Sequence, residues 1–159
     1  MEADMWKHIA YFELQQGFKR VSVWVYFLIF FALAFLISNI LGGAFTGASI
    51  VIGNQGTSIN SPLLIAELQT VFSIFGVLIF AAIFGNAGYR DYETNMHPLF
   101  FTKPVEPSSY FLGRYAGAFS LSLFIQLGIT LGLMIGFCMP YLDQDAIGVF
   151  RLDAYLQPI

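Results

Sequence analysis

Residues 21–41 read VSVWVYFLIFFALAFLISNIL, an apolar run without a single charged side chain. A helix rises about 1.5 Å per residue, so this run is long enough to cross a hydrocarbon core of about 30 Å. Trp24 and Tyr26 lie near its start, where aromatic rings favour the headgroup region. The run therefore predicts a first membrane-spanning helix.

The composition of the whole chain indicates a lipid environment. Of its 159 residues, 57% are hydrophobic and 11% are charged, whereas about a quarter of the residues in a soluble domain are charged. The net charge of -3 and the lack of a Lys/Arg stripe give no indication of nucleic-acid binding. The single cysteine, Cys138, excludes an intrachain disulfide, and its apolar surroundings predict a small buried residue.

A second span is predicted over residues 62–88. It follows a loop rich in Gly, Ser, Thr and Asn, which are residues that break helices. Ser61 as N-cap and Pro62 as first helical residue are a helix start signal. Glu67 falls in the first turns, where water and the helix dipole would stabilise its charge. A functional ionisable group inside the membrane is the alternative for Glu67.

A third span is predicted over residues 108–139. Ser108 and Ser109 can cap its start, and Pro140 stops it. Glycines recur along this span, and three of them are four residues apart on one helical face, which allows close helix packing in lipid. The alternative is that glycine is simply common in membrane helices. The three candidate packing residues are Gly128, Gly132 and Gly136.

Residues 1–20 precede the spans and predict an amphipathic helix. Met5, Ile9 and Phe12 share one face, so the segment can lie in the membrane interface. A plain cytoplasmic helix that leads into the first span is the alternative. The fold class expected from these features is all-α, with an interfacial helix, three transmembrane helices and one short cytoplasmic helix. Residues 21–159 would form a partial transmembrane domain.

The basic residues predict the orientation of the spans. Six Lys and Arg residues lie before the first span or around the connection between the second and third, and only Arg151 lies elsewhere. Basic segments stay in the cytoplasm. The N-terminus and the loop of residues 89–107 are therefore predicted to be cytoplasmic, and the tail of residues 140–159 external.

The cytoplasmic loop contains an unusual apolar cluster. Its central part, His97-Pro98-Leu99-Phe100-Phe101, can form a short helix because proline suits the first turn, and Lys103-Pro104 ends it. Aromatic side chains surrounded by charges suit docking into a groove on a partner protein. A helix resting on the membrane surface explains the pattern equally well.

The order of these features resembles the first half of an exporter-type, or type-2, ABC transporter permease. The resemblance rests on the sequence R-D-x-E-x-N…LFFT-x-P, followed by Gly113-Arg114 at the third span. Segments such as FELQQGFKR and IFGNAGYRDYETNMHPLFFTKP look like the N-terminal region of large bacterial permeases, some of which carry a zinc aminopeptidase domain after their spans. This chain contains no H-E-x-x-H motif, so the resemblance does not bring the peptidase activity with it.

The resemblance implies roles for individual residues. In that family a coupling helix in the first cytoplasmic loop fits a cleft on the nucleotide-binding subunit. Glu93 matches the family glutamate, whereas Asn95 and Met96 replace its glycine and threonine. Arg90 and Arg114 would brace the coupling helix. The implied ATPase-coupling residues are Tyr92, Glu93, His97, Leu99, Phe100, Phe101 and Pro104.

The implied partners are a separate ABC ATPase subunit, a second permease copy or sister half, and the lipid bilayer, with no cofactor. The implied location is the bacterial cytoplasmic membrane, with the N-terminus inside. The end of the chain after three spans suggests the N-terminal piece of a longer permease. Two other functions remain open: a structural or scaffolding membrane protein, and the anchor of an enzyme domain beyond residue 159.

Catalytic motifs are missing from the sequence. There is no P-loop of the form G-x-x-x-x-G-K-[ST], so ATP hydrolysis is expected on another subunit. His8 and His97 have no partners at metal-ligand spacing. No Ser-His-Asp set can form when both histidines are cytoplasmic and most aspartates are external. The sequence predicts no catalytic or metal-binding residue.

Overall fold

The computed structural model describes residues 5–45, 58–93, 107–142 and 147–156. Every regular element in these ranges is a helix, so the predicted all-α class is confirmed for the described chain. The interfacial position of the first helix and the short helix in the loop stay predictions. The helices are α1 (Met5–Phe18), α2 (Val21–Leu41), α3 (Pro62–Glu93), α4 (Pro107–Phe137) and α5 (Leu152–Leu156).

Three of these helices are long and apolar enough to cross a membrane: Val21–Leu41, Pro62–Asn86 and Ser108–Phe137. The first has the predicted bounds. The helix that contains the second continues past the expected residue 88 to Glu93. The helix that contains the third begins at Pro107, which places Ser108 and Ser109 inside its first turn and not before it as caps.

Local sequence explains how α2 ends and how α3 begins. After α2, Gly43 adopts a left-handed conformation with φ of 78°. The Ala44 amide bonds the Asn39 carbonyl and the Gly43 amide bonds the Ile40 carbonyl, which is a Schellman ending. At α3, the Ser61 hydroxyl accepts a hydrogen bond of 3.4 Å from the Leu64 amide, so the N-cap prediction is confirmed.

The chain divides into two compact units. The loop-proximal unit comprises Met1–Trp24 and Val77–Phe124. It holds α1 and the ends of α3 and α4 that flank residues 94–106. Within it, α1 lies against α4, and Gly17 of α1 contacts the Leu121 side chain.

The distal unit comprises Val25–Gly76 and Ile125–Ile159. Its core is apolar and is drawn from α2, α3 and α4. Phe30 and Phe72 meet edge to face with ring centroids 6.4 Å apart. The fully buried aliphatic side chains of this core are Ala34, Ile65, Ile125, Ile129 and Leu133.

Helix α4 is the most buried of the three long helices. The most apolar window of α4 is 56% buried, against 22% for α2 and for α3. The outer faces of α2 and α3 are therefore left to lipid or to a partner protein. Cys138 follows α4 and is exposed, so the prediction of a buried cysteine was wrong: α4 ends at Phe137 and the chain turns there.

Candidate functional site

The predicted coupling segment falls largely outside the described residues. This applies to His97, Leu99, Phe100, Phe101 and Pro104. The backbone of Arg90, Tyr92 and Glu93 forms the last turn of α3. The described part of the site therefore consists of the two helices that flank the segment, α3 and α4.

Arg114, predicted to brace the coupling helix, lies in α4 and faces α1. Its guanidinium forms a buried ion pair of 3.6 Å with the Glu13 carboxylate. The guanidinium also lies over the Tyr110 ring, 5.2 Å from the centroid. Charges removed from water in this way need their partners to stay in place, because an unpaired buried charge is strongly unfavourable. The contact joins α1 to the part of α4 that follows the coupling segment.

Two glycines of α4 allow α1 to approach this closely. A methyl group on Gly113 would lie 2.7 Å from the Trp6 carbonyl oxygen, and one on Gly117 would lie 2.6 Å from Cβ of Glu13. Real side chains do not tolerate such distances. Helix α1 therefore packs directly on the backbone of α4.

The face of α1 that packs on α4 overlaps the predicted apolar stripe only at Ile9, which lies against Gly113. Glu13 and Gly17 are buried, Ile9 is partly buried, and Phe12 is 57% exposed. The stripe of Met5, Ile9 and Phe12 is therefore only partly buried, and its position in the membrane interface stays a prediction. Tyr11 and Phe12 remain available to a bilayer surface.

A separate hydrogen bond holds helix α3 in the loop-proximal unit. Arg20 Nη1 donates a hydrogen bond of 2.5 Å to Asn86 Oδ1, which joins the start of α2 to α3 near its loop end. Beside it, Trp24 donates to the Phe18 carbonyl at 2.9 Å. Both helices that flank the coupling segment are thus fixed to the N-terminal part of the chain.

The three candidate packing glycines lie against α2 in the distal unit. A methyl group on Gly128 would lie 2.9 Å from the Phe27 carbonyl oxygen, and one on Gly132 would lie 2.5 Å from that of Phe31. A methyl group on Gly136 would instead meet the Ser38 side chain. The contact between α2 and α4 is therefore a close backbone approach of the kind that small residues allow in lipid.

A second contact, between α3 and α4, is polar. Gln69 Nε2 donates to Thr130 Oγ1 and to the Tyr155 carbonyl oxygen, both at 3.1 Å. The Ser73 hydroxyl donates to the backbone carbonyl oxygen of Gln69, and Gln126 Nε2 donates to Ser73 Oγ, both at 2.8 Å. We call the four side chains of Gln69, Ser73, Gln126 and Thr130 the polar seam. The seam contacts pair Gln69 with Thr130 and Ser73 with Gln126. The two seam residues of each helix are four positions apart, and the pairing order is that of antiparallel helices.

The hydrogen bonds of the seam fix the orientation of both glutamine amides. The Tyr155 carbonyl only accepts, so the nitrogen of Gln69 must face it. The Ser73 hydroxyl has already donated its proton, so Gln126 must also present its nitrogen. Oε1 of Gln69 and Oε1 of Gln126 are left buried without a hydrogen-bond partner among the described residues. Such an acceptor costs about 1–3 kcal/mol.

The polar seam was not predicted from the sequence, although its residues leave a signal there. Polar side chains are rare in membrane spans and usually face the protein interior. Gln69 and Ser73 in the second span have the same four-residue spacing as Gln126 and Thr130 in the third. One face of each helix is thus polar, which predicts a contact between the two spans.

The tail after α4 covers the seam at one end. Asn60 donates to the Gly148 carbonyl and accepts from the Gly148 amide, both at 2.8 Å, which holds the tail in place. Tyr155 is buried, and its hydroxyl has no hydrogen-bond partner among the described residues. Burial raises the pKa of the Tyr155 phenol to about 12, and the Cys138 thiol group adds to this increase.

Glu67 lies outside the seam, on an apolar groove of the distal unit. The carboxylate is exposed in the second turn of α3, in agreement with its predicted position near a helix end. The described residues contain no group of three or more His, Cys, Asp or Glu side chains that could hold a metal ion. The groove has a volume of about 660 Å³ and is lined by Ile37, Leu63, Ala66, Glu67, Leu68, Thr70, Val71, Phe72 and Phe75.

Comparison with protein-family models, curated proteins and solved structures gave no match. The class of protein follows from the fold: three long apolar helices suggest a helical protein embedded in a membrane.

Proposed function

We propose that this protein is the transmembrane subunit of an ATP-driven ABC exporter and that residues 89–107 couple it to a separate ATPase subunit. The observation that carries the proposal is the buried pair of Glu13 and Arg114. It fixes α4, just after the coupling segment, to α1. A displacement of the segment would therefore move α1 and α4 together.

The other end of the segment supports the same mechanism. Helix α3 continues to Glu93, so a rigid helix leads up to the apolar cluster of the loop. The Arg20–Asn86 hydrogen bond holds this part of α3 to the start of α2. Both helices are thus held to neighbouring helices by direct contacts. A force applied between the ends of α3 and α4 would therefore displace these neighbours as well.

In the proposed cycle, the ATPase cleft binds the side chains of Leu99, Phe100 and Phe101. ATP binding moves the cleft, and the coupling segment passes the displacement to α3 and α4. The spans then shift between two arrangements, a two-state equilibrium that ATP biases because it binds one state more tightly. A second copy or a sister half would complete the transport path.

The proposed location is the bacterial cytoplasmic membrane, with the N-terminus and the coupling segment on the cytoplasmic side. The excess of basic residues around these segments supports this orientation. The exposed Tyr11 and Phe12 of α1 are suited to contact with the inner surface of the bilayer.

The test is a pull-down of the full-length protein with the ATPase encoded beside its gene. Wild type is compared with Phe100→Asp/Phe101→Asp, after both are shown to reach the membrane in equal amounts. A matched control, Val149→Asp/Leu152→Asp, places the same two charges on exposed positions of the tail. The tail is predicted to lie on the opposite side of the membrane.

We expect wild type and the tail variant to retain the ATPase and the loop variant to lose it, because two charges cannot enter an apolar cleft without a large desolvation penalty. Equal retention by all three proteins would remove the coupling role. Absence of any ATPase from the wild-type complex would favour a scaffolding protein, with the aromatic cluster of the loop resting on lipid.

A further inference from the structure

The polar seam between α3 and α4 contains acceptors that this arrangement of helices does not satisfy. Oε1 of Gln69 and Oε1 of Gln126 are buried and lack a donor among the described residues. Amide oxygens only accept hydrogen bonds, so water or another donor must reach them if they are to be satisfied. Gln69 is 1% exposed and Gln126 is 8% exposed, so neither is open to solvent here.

The seam extends from near the helix ends deep into the spans. Gln69 and Thr130 lie seven residues from the start of α3 and the end of α4, respectively. Ser73 and Gln126 lie eleven residues from the same ends, which is about 16 Å along a helix and about half of a hydrocarbon core. Hydrogen-bonding groups therefore continue from one membrane face to about the middle of the bilayer.

The two faces of α4 in the distal unit differ in how readily they could open. Against α2, glycines bring the backbones into direct contact, and separation would lose van der Waals packing without satisfying a polar group. Against α3, separation would break the two side-chain hydrogen bonds that join the helices, Gln69–Thr130 and Gln126–Ser73, but water could replace both of them and could also reach the two unpaired oxygens. Opening is thus less unfavourable between α3 and α4.

We propose that α3 and α4 part along the polar seam to admit water and small neutral solutes that carry O–H or N–H donors. The four seam side chains are uncharged and present two free acceptor oxygens, which favours donors over anions. The proposal deepens the permease proposal and rests on it, since it names the two helices that separate and the chemistry of the solute.

The tail acts as the cover of this path. Its Tyr155 carbonyl accepts from Gln69 and its ring is buried, so the tail must move before water can reach the seam from that end. The two hydrogen bonds between Asn60 and Gly148 attach the tail at a second point.

The experiment is a cysteine-accessibility measurement in membrane fragments, with Cys138→Ala as background. Thr130→Cys and Ser73→Cys place a thiol in the seam, on α4 and on α3 respectively. Leu131→Cys and Leu78→Cys are the controls, on outer faces of the same helices. The probe is a small uncharged methanethiosulfonate reagent that carries one O–H donor, supplied to both membrane faces so that orientation does not matter.

We expect the seam thiols to react at least about tenfold faster than the controls, because a thiol in hydrocarbon cannot ionise and each unit of raised pKa removes about nine-tenths of its thiolate. Tyr155→Ala should increase the Thr130→Cys rate further. Seam rates equal to or below the control rates in both pairs would overturn the proposal. The measurement needs no ATPase, so fast seam labelling together with a failed ATPase pull-down would retain the water path and reject the permease.

Discussion

Glu13 of α1 and Arg114 of α4 form a buried ion pair of 3.6 Å, and this contact fixes the N-terminal helix to the helix that follows the proposed coupling segment. Neither residue is distinctive alone, since one lies in a short helix before the membrane and the other at the start of a span. Their pairing makes the loop-proximal unit a connected support for the ends of α3 and α4.

Glu13→Gln should destabilise the protein, because it removes one charge of the buried Glu13–Arg114 ion pair. The loss expected for breaking a buried pair is about 3–5 kcal/mol. Reversible denaturation of the detergent-solubilised protein measures it. The control is Asp153→Asn, which removes one partner of the fully exposed Arg151–Asp153 pair and should leave stability unchanged. Similar effects of the two variants would contradict a structural role for Glu13.

Gly132→Ala should also destabilise the protein, by about 1–3 kcal/mol, because the added methyl group meets the Phe31 carbonyl oxygen and forces α2 and α4 apart. Gly85→Ala is the matched control, since a Cβ there meets no described atom within 4 Å. Alanine favours a helix over glycine by about 0.5–1 kcal/mol, so the control should be neutral or stabilising. Thermal denaturation in detergent compares the two, and effects of the same sign would argue against close packing at Gly132.

The phenol of Tyr155 should titrate abnormally. Its pKa is raised from 10.0 to about 12, mainly by burial. A raised pKa in the folded state stabilises docking of the tail below the unfolded pKa and loses that stabilisation as pH rises toward the folded pKa. We therefore expect the tail to stay docked up to about pH 10 and to release between about pH 10 and 12.

Ultraviolet difference titration of wild type against Tyr155→Phe isolates this phenol from the other tyrosines. The phenylalanine variant has no group to ionise at this position, so its tail should remain docked across the same pH range. A phenolate that appears at the ordinary pKa of a tyrosine would mean that the tail is not docked.

Gly43→Ala should weaken the end of α2, because φ of 78° is a left-handed conformation that disfavours a Cβ. The residue has no described atom within 4 Å of an added Cβ, so strain in the backbone alone accounts for the effect, about 1–2 kcal/mol. Gly43→Asn should lose less, since asparagine tolerates this conformation. Denaturation in detergent ranks the three proteins, and equal losses for alanine and asparagine would point to another cause.

Sequence reasoning succeeded where the signal is local. Ser61-Pro62 marked the start of α3, since a cap and a proline act within one turn. The spacing of Gly128, Gly132 and Gly136 placed them on one face of α4, because helical periodicity depends only on sequence separation. That this face meets α2 required the structure, since periodicity does not say which neighbour a face meets.

Features that depend on contacts between two distant segments could not be predicted from the sequence. The buried pairing of Glu13 with Arg114 is one such feature, since the two residues are far apart in sequence. The pairing within the polar seam is another, because polar spacing marks a face on each helix but does not say that Gln69 meets Thr130 and Ser73 meets Gln126.

The sequence by itself determined the three long apolar helices and the points where two of them begin or end. Transfer of apolar side chains into lipid and the capping of helix ends are nearly additive along the chain, so they can be evaluated one segment at a time. Only the tertiary structure decided the rotation of each helix about its axis. That rotation selects the partners of Arg114 and of the seam, because it depends on packing and on buried polar contacts between residues far apart in sequence.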